Sequence, residues 1–266
     1  MSVSRQELIG GLAALRLVSH VPVLAHVDLH AFGVIAGGAE TFLQVLSSQV
    51  DTLMMPVFTY RTMVIPAAGP KNNGMRYNRN HSAYSHAEIF DPTMTADADM
   101  GEVAELLRRQ PNASRSEHPV LSFASTGVNA ALRVQALDDP LGPLRVLAEL
   151  EGVVLLAGVD HTRNFSLHLA EQMAGRKTFT RWALTRNRIV ELSGMPGCAQ
   201  AFNQVDSVLE AISRQVKVGE ALLTAIPLRP MLRIVYELIM NDPFALLCGD
   251  PDCLLCASVR QVSAEA

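Results

Sequence analysis

The sequence predicts an α/β fold in a single domain, a central mixed sheet flanked by helices. Three features carry that expectation. A strand, a glycine-rich turn, a helix and a second strand follow one another between residues 21 and 58, which is a βαβ unit and implies parallel pairing. Residues 152–159 (GVVLLAGV) are apolar without a break, as suits a strand covered on both faces. Residues 177–184 and 188–193 flank Thr185-Arg186-Asn187, the layout of an antiparallel hairpin.

Each element follows in order. Residues 5–17 have helical apolar spacing, with Leu8, Leu12, Ala13 and Leu15 on one face. Residues 21–27 read as a buried strand, residues 32–38 as a flexible turn, residues 40–48 as a helix and residues 52–58 as the next strand. From Tyr60 to about Ala98 no period is sustained, and Pro66, Gly69, Pro70, Asn72, Asn73, Gly74, Asn78, Asn80 and Pro92 punctuate the stretch. Long unpatterned loops are uncommon in compact proteins and often functional. This one is expected to cover or shape a substrate cleft, with a variable surface excursion as the alternative. A helix near 100–109, a strand at 120–124, a helix near 128–136 and another from Pro140 and Pro143 to Leu150 come next. After the apolar strand and the hairpin come a helix near 207–214, a second hairpin from 216–219 and 221–226, and a helix near 229–240. No repeat, low-complexity tract or clean linker divides residues 1–266.

Composition narrows the function. Apolar residues make up 49% of the 266 and charged residues 18%, enough to build a core and too apolar for disorder. The net charge of −4 offers no basic excess for nucleic acid or an anionic membrane, and is compatible with a cationic partner. No apolar run reaches the roughly 18–20 residues that span a bilayer, and Arg5-Gln6-Glu7 stand where a secretory leader would have its apolar core. The default compartment is the cytoplasm.

The strongest candidate for chemistry is His168. The apolar strand ends at Gly158-Val159, the chain turns through residues 160–163, and a helix starts that Asn164 or Ser166 could cap. Ligands of open α/β sheets bind at the carboxyl ends of strands, so His168 is expected in the first turn of a helix facing that edge. The positive end of the helix dipole disfavours imidazolium, and a neutral imidazole is what a general base needs. Glu171 lies three residues on, near the same face. On spacing alone, a core histidine satisfied by one hydrogen bond competes with this reading.

The cysteines form a second pattern. Cys248, Cys253 and Cys256 stand in a tight C-x4-C-x2-C knuckle at 248–256, and Cys198 lies in another turn, Met195-Pro196-Gly197-Cys198. Together they supply the four thiolates of a closed structural zinc site; unliganded thiols are the alternative. A stable disulfide is not expected in a reducing compartment. His26 and His30 also have i,i+4 spacing, but they straddle a strand end and are not read as metal ligands.

Residues 158–171 (GVDHTRNFSLHLAE) resemble the G-V-x-x-x-x-N-T-S-x-H-x-A-E signature of the aminoglycoside 3-N-acetyltransferase family. Other stretches agree in the family's order. His26-Val27-Asp28-Leu29 with Gly33 and Gly37-Gly38 is similar to its H-S-S-L…G…G-G segment, and residues 53–59 to its next strand. Phe90-Asp91-Pro92, Met100-Gly101 and Glu105 resemble F-D-P…M-G…E. Residues 115–119 with Ser122-Phe123-Ala124 resemble R-S-x-H-P…S-F-A, and Asp139-Pro140-Leu141-Gly142 stands where S-P-L-G is usual.

The resemblance covers about residues 5–256. It implies the antibiotic N-acetyltransferase fold and direct acetyl transfer from acetyl-CoA to an amine, with His168 as the base. Glu171 would orient the ring, and Ser166 would help to stabilise the oxyanion. The acetyl-CoA site would involve His26, Val27, Asp28, Leu29, Gly33, Ser116, Ser122 and Ala124. The partners implied are CoA and a cationic small-molecule amine, with Glu102 or Glu105 on an acidic wall; a homo-oligomer is compatible. Asp28 replaces a small hydroxyl residue, Phe165 a threonine and Asp139 a serine. A different amine acceptor and a non-catalytic CoA-binding relative therefore stand as competing readings.

Overall fold

A capping box opens the chain. The Ser4 hydroxyl accepts the Glu7 N–H at 3.2 Å, and the Glu7 carboxylate accepts the Ser4 N–H at 2.7 Å, satisfying two donors that helix α1 (Arg5–Ala14) would leave unpaired. Leu8, Leu12 and Leu15 are buried as their spacing predicts; Ala13 is exposed, and Gly11 takes its place on the packed face. The computed structural model of the chain describes residues 2–77, 86–127 and 129–265. Asn78, Asn80 and Val128, which the sequence reading placed in the long loop and at a helix start, lie outside the described residues.

The strands are β1 (Val23–Val27), β2 (Leu53–Pro56), β3 (Met63–Val64), β4 (Ser114–Arg115), β5 (Phe123–Thr126), β6 (Val153–Ala157), β7 (Phe179–Leu184), β8 (Ile189–Met195), β9 (Arg214–Val218) and β10 (Ala221–Pro227). After α1 the helices are α2 (Gly38–Ser47), α3 (Glu102–Arg108), α4 (Asn129–Arg133), α5 (Gly142–Glu149), α6 (Leu167–Met173), α7 (Asp206–Leu209), α8 (Leu228–Asn241) and α9 (Leu254–Glu265). The main sheet has the order β4-β5-β2-β1-β6-β10-β9. Its centre, β2-β1-β6, is parallel, and both flanks are antiparallel. A smaller antiparallel sheet, β3-β7-β8, contains the expected hairpin. The fold is α/β with a mixed central sheet.

The central strands explain their own sequences. Leu24, Met54, Val154 and Leu156 point into one core with residues of α5, α6 and α8. Their neighbours Val23, Ala25, Leu53, Met55, Leu155 and Ala157 point into the opposite core with residues of α1, α2 and α3. Alternate side chains face opposite sides of a strand, so burial on both faces requires the unbroken apolar runs seen in β1, β2 and β6.

Some expectations need correction. The segment near 207–214 is not one helix: α7 gives way to a 3-10 turn at Glu210–Ile212, and Arg214 begins β9 opposite Ala225. Helix α9 and the short strands β3 and β4 were not expected. Within the long loop, residues 60–62 form a 3-10 turn leading into β3. Among the described residues no helix is long and apolar enough to cross a membrane.

Candidate active site

The site forms where β6 ends. Gly158 has φ +72°, and a Cβ there would lie 2.6 Å from the Asp28 carbonyl oxygen and 2.7 Å from Ala31 Cβ. Only glycine tolerates both that backbone and that contact. The chain then makes a 3-10 turn, His161–Arg163, capped by the Asp160 carboxylate on the Thr162 N–H at 2.9 Å. Helix α6 follows with Ser166 at its N-cap position, yet neither expected cap operates. The Ser166 hydroxyl donates to Asn164 Oδ1 at 2.5 Å, while Asn164 Nδ2 lies 3.1 Å from His161 Nδ1. Both residues are fully buried. Ser166 thus lies behind the cleft wall, not on it.

His168 is the second residue of α6 and only 5% exposed. Its Nδ1 lies 2.6 Å from Glu171 Oε2. Glu171 Oε1 accepts from Arg176 Nη1 at 2.8 Å, and Arg176 Nη2 donates to the carbonyls of Pro243 (2.9 Å) and Ala245 (2.8 Å). A carboxylate paired with arginine can only accept, so the neutral ring carries its proton on Nδ1 and leaves Nε2 bare. Among the described residues Nε2 has no hydrogen-bond partner. Phe165 and Phe202 pack on the ring, with centroids 5.2 and 4.8 Å away, and Phe58 meets Phe165 edge to face at 4.6 Å.

Sequence reasoning missed Arg176, although a signal was present. The Arg176 N–H bonds the Glu171 carbonyl and the Gly175 N–H bonds the Gln172 carbonyl, with Gly175 at φ +71°. This is a Schellman ending, and it folds the residue after the glycine back over the last turn of α6.

His168 lines a cleft of about 920 Å³ over the carboxyl ends of β1, β2 and β6, the edge where open α/β sheets bind ligands. The volume is in the range of small-molecule sites. His26, Val27, Asp28 and Leu29 line it too. Burial, and after it the Arg163 guanidinium, hold the His26 imidazole down at about 3, and His26 Nε2 has no partner among the described residues. The Asp28 carboxylate accepts the His30 N–H at 2.9 Å, starting the 3-10 turn Leu29–Phe32.

The remaining expected cofactor residues do not line the cleft. Gly33 closes the turn after Phe32. Ser116 accepts the Phe123 N–H at 2.9 Å. Ser122 donates to the Val57 carbonyl and accepts from Arg115 Nε, both at 3.0 Å. Ala124 is buried in the core shared with α3. Arg115 also donates to the carbonyls of Pro92, Met94 and Val57, and His118 Nδ1 accepts the Val120 and Leu121 N–H groups. Through these bonds the R-S-x-H-P…S-F-A stretch ties the long loop to β2 and β5, and of residues 115–124 only Leu121 lines the cleft.

The cleft has an acidic wall, of which two carboxylates are already engaged. Asp97 takes Arg61 Nη1 at 2.5 Å and the Tyr60 N–H at 2.6 Å. Glu105 takes Arg108 twice, at 2.8 and 2.7 Å. Asp99 and Glu102 also line the cleft; both are exposed and have no ion-pair partner among the described residues. Of the two expected acids, Glu102 is available and Glu105 is committed. Met195, Pro196, Gly197, Ala199 and Leu255 form a further wall. Directly behind it Cys198, Cys248, Cys253 and Cys256 converge, their sulfur atoms all within 4.8 Å of one another.

Residues 24–240 match the family model described as aminoglycoside 3-N-acetyltransferase. Aminoglycoside N(3)-acetyltransferase VII of Streptomyces paromomycinus is 34% identical over 188 residues, covering 65% of this chain and 61% of that relative. The match therefore spans less than two thirds of that relative's length. The SPbeta prophage-derived aminoglycoside N(3')-acetyltransferase-like protein YokD of Bacillus subtilis (strain 168) is 30% identical over 239 residues, covering 82% and 84% of the two chains. Its crystal structure superposes with a TM-score of 0.79 at 25% identity, over 91% of this chain and 95% of that one. AAC-IIIb in a binary complex with CoASH shares the fold, with a TM-score of 0.73 at 23% identity over 91% and 97%.

Proposed function

The chain belongs to the aminoglycoside 3-N-acetyltransferase family, and on that premise we propose that it transfers the acetyl group of acetyl-CoA to an amine of an aminoglycoside-like polycation, with His168 as general base. One observation carries the assignment of the base. His168 presents a bare Nε2 at the cleft because its Nδ1 proton is engaged by Glu171, itself fixed by Arg176.

In the reaction the acceptor nitrogen attacks the thioester carbonyl and forms the C–N bond, while His168 Nε2 takes the proton the nitrogen sheds. The tetrahedral oxyanion collapses and breaks the C–S bond. CoA leaves as a thiolate, takes the proton back from His168, and the base is restored. Glu171 stabilises the imidazolium formed midway, as the carboxylate does in hydrolase triads. The Ser166 hydroxyl proton is spent on Asn164, so the oxyanion donors come from other groups.

The cleft carries features that suit each of the two substrates. The turn at residues 26–29 lines the cleft and resembles the family's H-S-S-L stretch, which supports an acetyl-CoA site there; AAC-IIIb, which shares the fold, was solved with CoASH. Asp99 and Glu102, carboxylates with no ion-pair partner among the described residues, suit the ammonium groups of the acceptor.

The test is His168→Ala, assayed for CoA release with acetyl-CoA and a panel of amines that includes aminoglycosides. Loss of a positioned base costs about 10²–10⁴ in rate. The variant is expected to keep its circular dichroism spectrum and lose at least about 10² in kcat. Near-normal turnover would remove His168 from the mechanism. Binding of acetyl-CoA by the unaltered protein without transfer to any amine would favour a non-catalytic CoA-binding relative instead.

A further inference from the structure

We propose that Cys198, Cys248, Cys253 and Cys256 hold a structural zinc ion in a closed tetrahedral site, and that this ion fixes the cleft wall built from Pro196, Gly197, Ala199 and Leu255. The first half of the proposal stands on the sulfur geometry. The second rests on reading the cleft as the place where the acceptor binds.

Every cysteine of the chain takes part. Cys198 comes from the turn after β8; Cys248 and Cys253 precede α9, and Cys256 lies in its first turn. That four thiols from two distant segments share one spot, all sulfurs within 4.8 Å, is poorly explained by burial alone. Four sulfurs about 2.3 Å from a zinc ion lie about 3.8 Å apart at tetrahedral angles. The Cys248 and Cys256 sulfurs are 3.4 Å apart, near that spacing and far beyond the roughly 2.05 Å of a disulfide.

The surroundings suit thiolates. The Cys248 N–H points at Cys256 Sγ (3.4 Å) and the Gln200 N–H at Cys198 Sγ (3.5 Å). Cys256 sits at the positive end of α9, a helix of 12 residues. Arg260 donates to the Cys248 carbonyl, bringing a guanidinium to a centre that would carry two net negative charges. All-sulfur tetrahedral sets select zinc or iron, and a site with four protein ligands and no open position matches structural zinc.

None of the four cysteines lines the cleft, but Gly197, Ala199 and Leu255 do. Each is next in sequence to a cysteine. Leu255 also packs beside Gly74 of the long loop, whose Cβ, were there one, would lie 2.6 Å from Leu255 Cδ2. The ion would therefore set where this wall stands.

The experiment is elemental analysis of the whole protein, expressed in unsupplemented medium and purified without a metal-affinity step. About one zinc per chain is expected, with the native thiols protected from a disulfide reagent until a mercurial and a chelator release the metal. Exchange with Co(II) should give tetrahedral thiolate charge-transfer absorption, lost in Cys253→Ser. Less than about half an equivalent of zinc, four freely reacting thiols, or iron in its place would each overturn the zinc site. Metal removal is also expected to lower the melting temperature and raise KM for the acceptor severalfold, with a smaller change in kcat. Bound zinc whose removal leaves acceptor KM unchanged would overturn its role in the wall. Metal content and melting temperature can be read even if no amine proves to be acetylated.

Discussion

The two ring nitrogens of His168 differ because of Glu171 and Arg176, and that difference supports a catalytic reading over a core one. His118 Nε2 is also without a partner among the described residues but is sealed in the core; His168 differs in lining the cleft. On the proposed mechanism, Arg176 is a positioning residue that acts through Glu171. Its pair with Glu171 is buried on both sides, and breaking a buried pair by removing one partner typically costs about 3–5 kcal/mol. In Arg176→Met the carboxylate would have His168 as its nearest source of positive charge. An uncompensated negative neighbour favours imidazolium, which opposes the neutral ring that a base needs. The expected result is lower activity at pH 7, partly recovered at higher pH, with the acidic limb of the kcat/KM profile displaced to alkaline pH. A profile that scales down without moving would make Arg176 merely structural. His168 and Glu171 were marked in the sequence by their place after a buried strand and their i,i+3 spacing, which left a core histidine in competition, and by the H-x-A-E resemblance, which favoured a base. Arg176 was not, because i,i+5 is no helical pairing and the contact depends on a turn.

That turn belongs to the scale of the element. Helix α6 ends with Gly175 at φ +71° and open space where a Cβ would go, so Gly175→Ala tests backbone conformation without a clash. Left-handed backbone costs an L-residue roughly 1–2 kcal/mol. Chemical denaturation is expected to show about 1 kcal/mol of destabilisation for Gly175→Ala and less for Gly175→Asn, since asparagine tolerates this region better. Equal losses in the two variants would mean that something other than φ is at stake. Elements were legible where one physical cause dominated. Burial on both faces wrote β1, β2 and β6 as unbroken apolar runs, and the hairpin β7-β8 showed its polar turn. Helix α9 was hidden because its first turn contains Cys256, which reads as part of a knuckle. The split of α7 from β9 was hidden because Ile212 fits helix and strand patterns alike, and only pairing with β10 decides between them. Ser116, Ser122 and Ala124 sit in motif stretches that look functional in sequence, but here their hydrogen bonds and packing serve the scaffold.

At the scale of the molecule, the parallel centre of the sheet delivers β1, β2 and β6 to one edge, and the antiparallel flanks leave that edge open for the cleft. The same burial that builds this frame encloses several histidines, among them His26 on β1 and His118 ahead of β5. Burial pulls His118 down to about 4 and His26, with help from Arg163, to about 3. In the unfolded chain both return to the ordinary histidine value of about 6.5. Between that value and the folded ones the unfolded state binds more protons, so stability falls as pH drops through the window and is fully present above it. At about 1.36 kcal/mol per pH unit for each group, the pair removes up to about 4 kcal/mol between pH 6.5 and pH 5. That is a large share of the 5–15 kcal/mol typical of a domain. His118→Asn separates the two contributions. The asparagine carbonyl can take over the Nδ1 acceptor role toward the Val120 and Leu121 N–H groups, but it cannot titrate. Urea midpoints measured from pH 7 to pH 5 are expected to fall less steeply in the variant than in the unaltered chain. Parallel slopes would mean that His118 is not the neutral, proton-excluding group that its buried position makes it.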